Sequence, residues 1–69
     1  MGLLVKRSFT LAGHRTSVAL EAEFWQVLTA LAAERRCSLA ALVAAVDAGR
    51  PPERPLASAL RVHALLRPP

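Results

Sequence analysis

The chain has no tyrosine and only one cysteine, one methionine and one tryptophan among its 69 residues. A lone Cys37 excludes an intramolecular disulfide. With no companion thiol, and an apolar helical run starting two residues later, it is expected to fill a gap in a reducing compartment, the cytoplasm. His14, His63 and Cys37 are too scattered for the short paired spacings of zinc sites, so neither a metal nor another cofactor is expected. Long hydrophobic runs are missing too. The longest, from Cys37 to Val46, ends at Asp47 and falls short of the ~20 residues that cross a bilayer. Leu3, Leu4 and Val5 precede Lys6 and Arg7, the reverse of a secretory signal, and Lys6 stands where an acylation motif beginning Met1-Gly2 needs Ser or Thr.

Acidic residues are scarce and unevenly placed. All five lie at Glu21 or later, whereas residues 1–20 hold Lys6, Arg7, His14 and Arg15. The formal net charge of +4 favours polyanions, and the N-terminal segment is the anion-facing part. The few acids fall at helix ends and in a proline-rich joint, with no nucleophile, base and orienting group in view, so the chain is not expected to be an enzyme.

Hydrophobic residues make up 54% of the chain, which is one domain at most. Domains this short hide only about 60% of their unfolded surface and usually need a disulfide, a metal or a partner subunit. The first two being absent, a partner is expected.

Thr16 to Leu20 alternates, with Val18 and Leu20 on one face and Arg15, Ser17 and Ala19 on the other, as a short strand does. Ser8 to Leu11 also alternates before Ala12, Gly13 and His14 break the pattern, so it reads as a second short strand or an ordered arm. From about Ala22 to Arg35 the period becomes helical. Phe24, Val27, Leu28 and Leu31 form the stripe, which Trp25 and Ala32 widen. Ser38 is a helix N-cap before the apolar series Leu39, Leu42, Val43 and Val46. This second helix is expected to stop near Ala48, with Gly49 as a left-handed terminator before Pro51 and Pro52. A third helix is expected from Leu56 to Leu66, with Leu56, Leu60 and Ala64 on one face and Arg61 and His63 in solvent. Arg50, Arg54 and Arg67 are also expected to be solvated.

One short strand followed by two capped amphipathic helices resembles the ribbon-helix-helix repressors, the Arc and MetJ superfamily. Lys6-Arg7-Ser8, Gly13 to Val18, Glu23-Phe24-Trp25, Ser38 to Val43 and Leu56 to Val62 are similar to a small bacterial subgroup. Arg36 departs from the wider family, which often places Gly there. The resemblance implies a mainly α fold with one short strand, an intertwined homodimer with a two-stranded intersubunit ribbon, and a C-terminal third helix. The divisions are then a basic arm at 1–14, a core at 15–49, a joint at 50–55 and a helix with tail at 56–69.

In such a dimer the 16–20 segments pair across the subunits, and Val18, Leu20, Phe24, Leu28, Leu31, Leu42 and Val46 form a shared core. The implied function is transcriptional regulation, as a repressor associated with the nucleoid, by a ribbon set in the major groove of double-stranded DNA. Arg15, Ser17 and Ala19 are then the base-contacting residues, and Lys6, Arg7, Ser38 and Leu39 the phosphate contacts. The alternative is an antitoxin or adaptor on the same dimer, binding a protein partner through Leu56 to Leu66, which the joint of Pro51, Pro52 and Pro55 would let detach.

Overall fold

Two antiparallel strands and three helices follow one another in a computed structural model that describes residues 3–67: β1 (Leu4–Leu11), β2 (His14–Glu21), α1 (Ala22–Glu34), α2 (Leu39–Gly49) and α3 (Leu56–Leu66). Gly2, on which the acylation reading turns, and the last two residues of the tail lie outside the described residues.

The single short strand of the sequence reading is replaced by a hairpin. β1 pairs with β2 from Leu4↔Glu21 to Leu11↔His14, so the segment expected as a basic arm contains a full strand. The two-residue connection explains this. Ala12 at φ 51° and Gly13 at φ 82° are both left-handed, the backbone of a type I′ loop whose twist suits a tight hairpin. Thr16 to Leu20 therefore has its sheet neighbour within the same chain.

The hairpin's inner face carries Phe9, Leu11, Val18 and Leu20, all buried. Against it pack Trp25, Leu28, Leu31 and Ala32 of α1 with Leu42 and Val43 of α2. The helical stripe is rotated from expectation: Trp25 is 2% exposed, while Phe24 is only half-buried. Trp25 lies inside because β1 gives its indole two partners. Its Nε1 donates to the Val5 carbonyl at 2.8 Å, and the Phe9 ring lies 5.8 Å away.

α1 ends in a Schellman motif, with Cys37 N–H donating to Ala32 O at 3.0 Å and Arg36 N–H to Ala33 O at 3.1 Å. Arg36 holds the left-handed position at φ 55°, where a glycine would carry no Cβ penalty. Ser38 caps α2, its Oγ accepting from Ala41 N–H at 3.0 Å. Gly49, by contrast, is no left-handed terminator. Gly13 is the one positive-φ glycine among the described residues, Gly49 is helical, and Arg50 turns extended at ψ 148°. Pro51 accounts for that turn, since a proline disfavours helical backbone in the residue before it.

α3 is part of the core. Ala59, Leu60 and Ala64 are buried, and the helix contacts α1, α2 and β2. Detaching it would expose Leu60 at a cost of about 1.5–3 kcal/mol. Arg61 is not simply solvated. Its Nε donates to Glu21 Oε1 at 3.0 Å, and its guanidinium lies 5.9 Å from the Phe24 ring centre. Arg50 likewise bonds Asp47 Oδ1 at 2.9 Å and the Arg54 carbonyl at 2.7 Å, which closes the end of α2. No helix among the described residues is long and apolar enough to cross a membrane.

Candidate nucleic-acid interface

Alternation along both strands divides the hairpin into a greasy face and a polar one. Since β1 and β2 pair in phase, Lys6, Ser8 and Thr10 stand opposite Ala19, Ser17 and Arg15 on the face turned away from the helices. All of these are exposed except Ala19, which is half-buried. The result is a two-stranded antiparallel ribbon within one chain, with hydroxyls, an ammonium and a guanidinium on its outer surface.

The rows are joined across the strands. Ser8 Oγ and Ser17 Oγ lie 2.9 Å apart, and Arg15 Nη1 donates to Thr10 Oγ1 at 3.2 Å. Arg15 is thereby held over the sheet while the other donors of its guanidinium remain for a ligand. Ser8 and Thr10 were not singled out from the sequence, because they matter only once β1 lies beside β2. A two-residue gap between two alternating apolar runs was the available signal, muted by alanine where Asn-Gly or Asp-Gly would have announced the turn.

The remaining candidates are more dispersed. Lys6 shares the outer face with Arg15. Arg7 is on the other face of β1, exposed, with its guanidinium 5.5 Å from the Trp25 ring centre. Ser38 is exposed and Leu39 half-buried at the start of α2, where the first turn's N–H groups carry the helix's partial positive charge. The residues expected in a shared dimer core already pack within one chain: Val18, Leu20, Leu28, Leu31 and Leu42 are buried, and Phe24 and Val46 pack partly against them. His14 is exposed beside the turn. Among the described residues no three His, Cys, Asp or Glu side chains gather as a metal site would require.

Such a ribbon can do two things chemically. Its width and outward alternation suit the major groove, where a guanidinium donates twice to guanine O6 and N7, a hydroxyl bonds to several bases, and a methyl touches thymine. Its positive charges attract phosphates without regard to sequence.

No curated protein and no solved structure matches the chain. A family model described as a ribbon-helix-helix domain matches residues 4–67, from the first residue of β1 to the residue after α3. Domains of this kind are typically regulatory rather than enzymatic and generally bind DNA as dimers. On a match covering nearly its whole length, and with the ribbon and both following helices in place, the chain belongs to the ribbon-helix-helix family.

Proposed function

We propose that the protein is a small DNA-binding transcriptional regulator that lays the outer face of its β1–β2 hairpin in the major groove. The observation that carries this reading is the continuous polar row of Lys6, Ser8, Thr10, Arg15 and Ser17 on a ribbon whose other face packs Phe9, Leu11, Val18 and Leu20 against the helices. Arg15 is the main specificity residue, Ser17 the second, and Ala19 supplies a small apolar contact. Lys6 on the ribbon, Arg7 on its helix side, and the α2 N-terminus at Ser38 and Leu39 contact phosphates and set register. A homodimer places a second hairpin about a two-fold axis, which makes the target a pair of half-sites. The protein acts in the cytoplasm, on the nucleoid, as a repressor that needs no cofactor.

Selection from a random pool of DNA duplexes tests this directly. A recovered motif with a repeated half-site is expected, and Arg15→Ala should relax selectivity at one position per half-site by about 1–3 kcal/mol. Lys6→Ala should weaken binding to all sequences alike and flatten its salt dependence. A pool that returns no motif, or an Arg15→Ala variant with unchanged selectivity, defeats the proposal.

A further inference from the structure

Between α2 and α3, on a different part of the surface from the polar row, runs an open groove of about 340 Å³. Its floor is apolar: Leu42, Val46, Ala59, Val62 and Leu66. Leu66 is 69% exposed and Val62 37%, whereas Ala59, Leu60 and Ala64 of the same helix are buried. The rim is basic. Arg35 and His63 flank one stretch, and Arg50 and Arg54 lie beside Pro51 at the joint. Asp47 is paired with Arg50 at 2.9 Å. His63 Nε2 lies 3.4 Å from Arg35 Nη1; burial first, and the Arg35 charge second, hold its pKa below the ordinary histidine value.

We infer that this groove binds an acidic amphipathic helix of another protein. Length, shape and charge agree on that occupant. From Leu42 to Gly49 the α2 wall spans roughly 10 Å, about two helical turns, so an incoming helix can lay apolar residues at i, i+3 or i+4 and i+7 along the floor. Carboxylates beside that stripe then meet the guanidinium groups on the rim. A second copy of this chain is a poor fit, because a two-fold contact here would set the same arginines against each other in a chain already at +4. The groove is also an open trough rather than an enclosed cavity, which suits a helix better than a small molecule. The site is independent of the hairpin, so partner binding and DNA binding can occur on one molecule.

A displayed library of helical peptides, panned on the intact protein, tests the assignment. Enrichment of peptides with an apolar stripe flanked by Glu or Asp is expected. Their affinity should fall by about tenfold or more with Ala45→Glu or Val62→Glu, which place a like charge in the contact. Both positions are exposed, so melting temperature and DNA selection should be unchanged in these variants. The inference is overturned if panning enriches nothing, if the recovered peptides are basic, or if the two variants bind them as well as the parent does. It is also overturned if Ala45→Glu shifts the sedimentation of the protein alone, which would make the groove a contact between copies. Decanoate binding there without any enriched peptide would overturn it as well, by making the groove a small-molecule site.

Discussion

Replacing Arg36 by glycine should stabilise the fold, and the structure sets the size of the effect. Arg36 sits at φ 55° while its N–H and that of Cys37 close the last turn of α1 on Ala33 O and Ala32 O at 3.1 and 3.0 Å. A residue with a Cβ in that left-handed well costs roughly 1–2 kcal/mol. Glycine removes that cost but widens the freedom of the unfolded chain, which returns about 0.5–1 kcal/mol. The net gain for Arg36→Gly is about 1 kcal/mol, a rise in melting temperature of roughly 4–8 °C for a domain of this size. Thermal and urea denaturation followed by circular dichroism measure it, at one fixed protein concentration so that any coupling of folding to association is held constant. Arg36→Ala is the control, since it deletes the charge but keeps the Cβ, and it should lie within about 0.5 kcal/mol of the parent. Equal stabilisation by both variants would show that charge crowding, not backbone conformation, was relieved. A loss of stability in Arg36→Gly would refute the reasoning outright.

The hairpin loop should respond in opposite senses at its two positions: Gly13→Ala, at φ 82°, should cost about 1–2 kcal/mol although nothing lies within 4 Å of the added methyl. Ala12→Asn should gain about 0.5 kcal/mol by supplying the residue a type I′ loop favours, both read as shifts in urea midpoint. At the end of α2, Gly49→Ala should add about 0.5–1 kcal/mol in the same assay, because Gly49 is helical with open space around its Cα. Acid sensitivity should centre on Glu21, whose pKa is lowered from 4.5 by its own backbone N–H and then by Arg61. Its contribution is complete above 4.5 and vanishes as pH falls through the lower folded value, so Glu21→Gln should flatten the acid limb of the stability–pH curve. An identical limb in Glu21→Gln and parent would remove Glu21 from the account.

Local features of the fold were legible because local chemistry dictates them. Ser38 announces α2, and the apolar spacing of Leu39, Leu42, Val43 and Val46 sets its face. Likewise Val18 and Leu20 against Ser17 and Arg15 distinguish the two faces of β2 before any neighbour is known. The candidate site was half visible for the same reason. Arg15 and Ser17 could be named, but Ser8 and Thr10 could not, since their place beside them depends on a chain reversal made by an alanine in an unusual conformation. Gly49 misled because a glycine before prolines suggests a left-handed stop, whereas Pro51 alone constrains Arg50 enough to end the helix.

Three helices, the Ser38 cap of the second, an acid-free basic leader and the two faces of β2 follow from the order of residues alone, because periodicity, capping and charge act within a turn or two of the backbone. Tertiary structure alone decided that β2 finds its partner in β1, that Trp25 rather than Phe24 goes inside, and that α3 completes the core with Arg61 tied to Glu21. Each of these joins residues far apart in the chain or depends on a neighbour supplied from elsewhere. Such choices are settled by competition among long-range contacts, which no local pattern records.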